Sequence, residues 1–145
     1  SNMHVAMLPE NADAAIMGAV VYGVGPDDLH TELRFRTLGH DGTIGSEKKL
    51  TSGNRNAQGV SLAPFGDGYV LAFRAIRGAD TNVVVKFVNK TGDSAANAEM
   101  VMAEADASGS PPRVFVTNDG RITVVFDDHN GDGMFLRAVR GICDP

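Results

Sequence analysis

The feature that most constrains the fold of this chain is an internal repeat of about 52 residues. A short apolar segment closing on an aromatic residue occurs three times, with the aromatic at Tyr22, Phe73 and Phe126. The steps between these aromatics are 51 and 53 residues. Self-similarity at such a period is typical of chains in which one supersecondary unit is repeated. The three copies are therefore predicted to form three similar units.

Each repeat contains further short strands separated by glycine turns. A second segment recurs around Phe35, Phe87 and Val139, with both steps equal to 52 residues. Residues 66–68 (Gly-Asp-Gly) and 118–120 (Asn-Asp-Gly) separate alternating apolar runs, which is a strong hairpin signal. The pattern predicts four antiparallel strands in each of the first two repeats and three in the last.

One segment has a composition that would also suit a helix. Residues 95–107 are rich in Ala, Glu and Met. Met100 and Met102 alternate with other residues, however, and the first repeat has a strand at the matching place, residues 48–51. We therefore predict a strand near residues 98–103.

Four short antiparallel strands repeated at this period are typical of a β-propeller blade. A β-sandwich is the alternative, since it explains the strands but not their period. The predicted fold is all-β, with a single domain or partial propeller over residues 1–145 and repeats at approximately 4–54, 55–107 and 108–145.

The third repeat is predicted to be incomplete, because the sequence ends just after its third strand. Three blades are fewer than the roughly four that a closed propeller needs, and an unpaired sheet edge is a liability. We expect either further blades upstream or self-association of two copies to complete the ring.

Composition excludes several classes of protein. Thirteen Lys and Arg against eighteen Asp and Glu give a net charge of −5, the wrong sign for a nucleic-acid partner. No apolar run approaches the roughly 18 residues of a membrane-spanning helix, so no membrane insertion is expected. A single cysteine, Cys143, excludes an internal disulfide and a Cys-rich zinc site.

The connections between second and third strands, and between successive repeats, are predicted to share one rim of the blades, because neighbouring strands run antiparallel. Asp28, Asp80 and Asp132 lie there 52 residues apart, and residues 76–82 are predicted to form the loop that contains Asp80. An Asp at such a place either stabilises its turn or contributes to a ring of carboxylates that bind a ligand. The predicted ligand-binding face consists of Asp28, Asp80, Arg77, Asn54, Arg55 and Asn56.

The sharpest local motif is residues 128–133, Asp-His-Asn-Gly-Asp-Gly. Oxygen ligands at alternate positions followed by a glycine are typical of a calcium loop, which makes Asp128, Asn130 and Asp132 candidate ligands of Ca²⁺. The motif resembles the core of integrin-type FG-GAP propeller repeats over six to eight residues. Val139 stands where an EF-hand would have its bidentate Glu, and the alternative is a polar, glycine-rich hairpin.

No catalytic signature is present: neither a nucleophile elbow nor a histidine metal spacing occurs. Five arginines fall in predicted strands. Arginine in such a place is expected to pair with an Asp of the next unit and to be structural. They are Arg34, Arg36, Arg74, Arg137 and Arg140.

The repeated strand pair and the Asp-Gly turns resemble those of bacterial β-propeller repeat proteins across almost the whole chain. The resemblance implies a non-catalytic binding or scaffolding module, extracellular or at the cell surface, with a protein or carbohydrate partner. The absence of Trp weakens a lectin interpretation. The alternative is a fragment of a propeller hydrolase, such as a glycosidase.

Overall fold

The computed structural model describes residues 3–26, 30–51, 56–95, 98–105, 109–130 and 133–142, with side chains described as far as Asp128. These residues form eleven strands and no helix. The strands are β1 (Met3–Met7), β2 (Ile16–Val24), β3 (Glu32–Gly39), β4 (Lys48–Lys49), β5 (Asn56–Phe65), β6 (Gly68–Arg77), β7 (Asp80–Asn89), β8 (Glu99–Glu104), β9 (Arg113–Val116), β10 (Arg121–Asn130) and β11 (Gly133–Ile142).

The strands form three antiparallel sheets in chain order. Sheet A comprises β1 to β4, sheet B comprises β5 to β8, and sheet C comprises β9 to β11. Every sheet is a meander in which each strand pairs with the next one along the chain. The predicted count of four, four and three strands is confirmed, and so is the strand, rather than helix, at Glu99–Glu104.

Sheet B lies between the other two. From Gly68 to Ala75 every residue of β6 is buried, because successive side chains point to opposite faces of the sheet and both faces are covered. Tyr69, Leu71 and Phe73 contribute to an apolar core shared with sheet A. Their neighbours, such as Val70, contribute to a second core shared with sheet C.

The sheets stack in the order A, B, C. We call the face of each sheet that points in the direction from sheet C to sheet A its preceding face, and the opposite face its following face. The repeated aromatics occupy the preceding face in all three sheets. Phe73 is buried against sheet A and Phe126 against sheet B. Tyr22, Phe73 and Phe126, which are regularly spaced in the sequence, therefore occupy equivalent positions in the second strands of the three sheets.

In the third strands of sheets A and B, the residues that are structurally equivalent differ from those that the sequence spacing indicated. Phe35 pairs with Val21 of β2, while Val85 pairs with Ala72, the counterpart of Val21 in β6. Val85, and not Phe87, is thus the structural counterpart of Phe35. A slip of two residues leaves the side chain on the same face of the strand.

Candidate functional site

The predicted ligand-binding rim contains a tight hairpin in sheet B. Residues 76–82 were expected to form a loop, but Arg77 pairs with Asp80 and only Gly78 and Ala79 connect the strands. Gly78 has a φ of 62°, a left-handed conformation that glycine adopts without steric cost. Arg77 and Asp80 are both exposed, so the structure brings these two predicted residues together on the surface.

Asn56 has a structural contact. It is buried, and its Oδ1 accepts a hydrogen bond of 2.9 Å from the backbone N–H of Thr31, the residue before β3 of sheet A. The N–H of Ala57 donates to the Thr31 carbonyl at 2.9 Å. Asn56 therefore joins sheets A and B. The predicted residues Asp28, Asn54 and Arg55 lie outside the described residues.

The predicted calcium motif falls at the end of β10. Asp128 and Asn130 are strand residues that pair with Phe135 and Gly133, and Asp132 lies outside the described residues. Within the described part of the chain no three His, Cys, Asp or Glu residues are grouped as a metal site. Calcium binding at this motif stays a prediction.

Arg74 is the most buried cation among the described residues, at 1% exposure. Its Nε donates to the carbonyl of Ser110 at 3.0 Å, and its Nη2 donates to the carbonyl and Oδ1 of Asp127 at 2.6 and 2.9 Å. The expected pairing with an Asp of the next unit is thus confirmed for Arg74. Arg34 instead contacts Glu32 of its own strand, and Arg36 contacts Glu47, the residue before β4.

The pair between Arg74 and Asp127 is enclosed by the chain. Burial raises the pKa of Asp127, but hydrogen bonds involving Ser110 and the charge of Arg74 outweigh this and leave the pKa below its ordinary value. A Cβ on Gly109 would lie 2.0 Å from the Arg74 Nη2. With its fork already occupied, Arg74 stabilises the contact of sheets B and C and is not placed to bind a ligand.

A groove of about 680 Å³ lies at the opposite rim of sheet B. Its apolar wall includes Phe65, Tyr69 and Phe87, and its polar residues include Asp67 and Asp93. The Phe65 and Phe87 rings contact each other with centroids 5.3 Å apart. These residues belong to the β5–β6 and β7–β8 turns and to the strand ends beside them, so the groove lies where the two turns of one sheet adjoin.

The β7–β8 turn that borders the groove is held by its own side chains. Asn89 Oδ1 accepts from the backbone N–H groups of Thr91 and Asp93 at 3.0 and 2.9 Å. Asp93 in turn accepts from Lys48 Nζ of sheet A at 2.5 Å. The hydrogen bond from Lys48, followed by the one from Thr91, lowers the pKa of Asp93. One edge of the groove is therefore fixed by an ion pair between Asp93 and Lys48.

Tyr69 has a polar atom without a partner. Its side chain is 1% exposed and its ring meets the Phe35 ring edge-on at 5.9 Å. The hydroxyl group is buried and makes no hydrogen bond to the described residues. Burial, and then the negative charge of Asp13, raises the pKa of Tyr69 to about 12.

A second groove of about 360 Å³ is bordered by all three sheets. It is lined by Pro9 after β1, by Pro64 at the end of β5, and by Asn118 after β9. The first strands of the three sheets thus end near one another. Phe65 borders this groove as well as the larger one.

Both grooves lie at the rim opposite to the predicted ligand-binding face, which was chosen for its long loops and acidic residues. The available signal was aromatic: Phe65 and Phe87 stand at strand ends beside glycine turns.

Comparison of the chain with protein families, with curated proteins and with solved structures found no match. The described residues include no helix that could span a lipid bilayer.

Proposed function

We propose that this chain is a three-blade section of a β-propeller and acts as a non-catalytic module that binds a partner protein, outside the cell or at its surface. The observation on which the proposal depends is the stacking of three equivalent four-stranded or three-stranded meanders in chain order. Blades of a propeller are meanders of this kind arranged around an axis.

Two contacts support a propeller over a sandwich. Sheet B is covered on both faces, whereas each sheet of a two-sheet sandwich packs through one face only. The first strands also adjoin one another, since Pro9, Pro64 and Asn118 line a common groove. In a propeller the first strand of every blade lies nearest the axis, which would bring these ends together.

The larger groove supports a binding role. Ligand sites are mostly concave and apolar with a few polar groups that orient the ligand, and the wall of Phe65, Tyr69 and Phe87 with Asp67 at its edge has that character. We propose that a partner protein inserts an apolar side chain here. The net charge of −5 favours a partner with a positive surface.

The test is an NMR titration of the ¹⁵N-labelled chain with N-acetyl-phenylalanine amide, which represents one inserted side chain. We expect the amides of Gly68, Asn89 and Ser94 to shift, and the amide of Gly78 at the other rim to stay in place. Shifts centred on Gly78 would instead support the rim of Arg77 and Asp80.

A matched pair of variants sharpens this test. Ala95 and Ala79 are both exposed alanines, Ala95 beside the groove and Ala79 in the opposite hairpin. Ala95→Arg should weaken the titration at least tenfold by filling the groove, while Ala79→Arg should leave it unchanged. Equal effects of the two substitutions would contradict the groove as the site.

A propeller hydrolase is the second candidate, because Asp67 and Asp93 line one groove. A glycosidase needs one carboxyl with a raised pKa as general acid, and the pKa of Asp93 is shifted downwards. Hydrolysis of aryl glycosides that is abolished by Asp67→Asn would favour the enzyme over the binding module.

A further inference from the structure

The two interfaces within the stack bury equivalent strand positions. On the preceding face, Leu62 pairs with Leu71 in sheet B and Val114 pairs with Val124 in sheet C. Leu62 is 3% exposed beneath sheet A, and Val114 is 6% exposed beneath sheet B. The register thus identifies one position per sheet that the sheet before it buries.

The corresponding position of sheet A is open. Val5 pairs with Val20, the counterpart of Leu71 and Val124, and is 46% exposed. Met3 and Met7, two residues away on either side and therefore on the same face, are 65% and 46% exposed. Sheet A consequently presents an apolar strip at the place where sheets B and C are covered.

At the other end of the stack, the following face of sheet C also has an exposed apolar residue. On the following face Ala6 is 7% exposed beneath sheet B, and Ala63 is partly buried against sheet C. Phe115, which the register makes their counterpart in sheet C, is 55% exposed. An exposed phenylalanine stands where the earlier sheets have covered alanines.

At each end of the stack an exposed apolar side chain thus occupies a position that is covered at the interfaces inside the chain. We infer that two copies of this chain associate head to tail, with the following face of sheet C in one copy packed on the preceding face of sheet A in the other. Two such contacts would close a ring of six sheets, within the usual four to eight blades. Ring closure rests on the proposed propeller, but the pairing of the faces does not.

The strip is bordered by charges that orient the contact. Tyr22, on the same face as Val5, accepts a hydrogen bond from Arg36 Nε at 2.9 Å, and Arg36 lies 3.6 Å from Glu47. The equivalent of Tyr22 in sheet B is the buried Phe73. The preceding face of sheet A is thus apolar near its first strand and polar towards its last strands. This asymmetry favours a single orientation of the second copy on that face.

The experiment is sedimentation velocity on the full chain from micromolar to near-millimolar concentration. We expect the mass of a dimer. Val5→Asp and Phe115→Asp should each raise the dissociation constant at least tenfold, since each places a charge in an apolar contact. A mixture of the two variants should recover a dimer, because one copy retains an intact sheet C face and the other an intact sheet A face.

Val101→Asp is the matched control. Val101 is 59% exposed on β8, the outermost strand of the middle sheet, and belongs to neither end face. The Val101→Asp variant should dimerise like the parent chain. At concentrations low enough for the parent to be monomeric, all variants should share its melting temperature, because association no longer stabilises the parent there.

Other outcomes overturn the inference. A monomer at every concentration would exclude the contact. If only one variant weakens the dimer, the two copies meet through identical faces, and the head-to-tail pairing is wrong. Open chains longer than a dimer would overturn the closed ring and count against the propeller geometry, and in that case the NMR titration of the groove would still test the binding role separately.

Discussion

At the scale of single residues, the contact between sheets B and C depends on one cation. Arg74 is buried at 1% exposure and satisfies two chain segments at once, through Ser110 and Asp127. Its general role was predictable from an arginine in an otherwise apolar strand. Its partner was not, because 53 residues separate Arg74 and Asp127 and only folding brings them together.

Arg74→Ala should lower the free energy of unfolding by about 3–5 kcal/mol, since removing one member of a buried pair leaves the other charge without compensation. Urea denaturation measures this. Arg77→Ala, three residues later at an exposed position of the same strand, should change stability by no more than about 0.5 kcal/mol. Equal losses would show that the Arg74 contacts contribute nothing specific.

The buried hydroxyl of Tyr69 gives a prediction with a defined dependence on pH. Since the group has a pKa near 12 in the folded chain and about 10 when unfolded, the unfolded state loses its proton first as the pH rises. Stability should therefore fall between pH 10 and 12. Tyr69→Phe should remove that fall.

At pH 7 Tyr69→Phe should be at least as stable as the parent chain, because the substitution removes a buried hydroxyl that lacks a hydrogen bond. Thermal unfolding at pH 7 and pH 11 checks both statements. A variant that is destabilised at pH 7 would show that the hydroxyl has a partner in solution.

At the scale of elements, the turns between third and fourth strands share one backbone conformation, but only the turn in sheet B also contacts another sheet. Gly42 and Gly92 occupy matching turns with φ of 84° and 85°. A Cβ on Gly42 would meet nothing within 4 Å, whereas one on Gly92 would lie 2.4 Å from the ring of Phe35 in sheet A. Gly92 is therefore needed for its conformation and for the contact between sheets.

Gly42→Ala should cost about 1–2 kcal/mol, from the left-handed backbone alone. Gly92→Ala should cost about 1–3 kcal/mol more, because Phe35 must also move. The difference between the two variants in urea denaturation isolates the inter-sheet contact. If the two variants lose the same free energy of unfolding, Gly92 has no close contact with Phe35 in solution.

The elements themselves were largely predictable, and their limits were less so. Alternating apolar residues and Gly turns predicted all eleven strands, because the period of two is a local property. The hairpin at Gly78 was expected to be a longer loop, since Ile76, Thr81 and Asn82 carry no signal that distinguishes a paired strand end from a loop. Strand pairing there is decided by the register of β6 and β7.

At the scale of the whole molecule, sequence alone predicted an all-β chain of three similar units but not how they pack. The apolar run of β6, buried from Gly68 to Ala75, is the local sign that sheet B has neighbours on both faces. The grooves could not be predicted in the same way. The larger one joins residues from Phe65 to Ala98, and the candidate face chosen from loop composition lies at the other rim.

The central position of sheet B also sets the order in which the chain can mature during its synthesis. Sheet A emerges first and can cover one side of sheet B as soon as β5 to β8 have been translated. The other side, with Val70, Val83 and Val85, stays uncovered until β9 and β10 have left the ribosome. A ribosome that pauses between the second and third units would therefore leave one apolar face of sheet B exposed, a condition that favours aggregation.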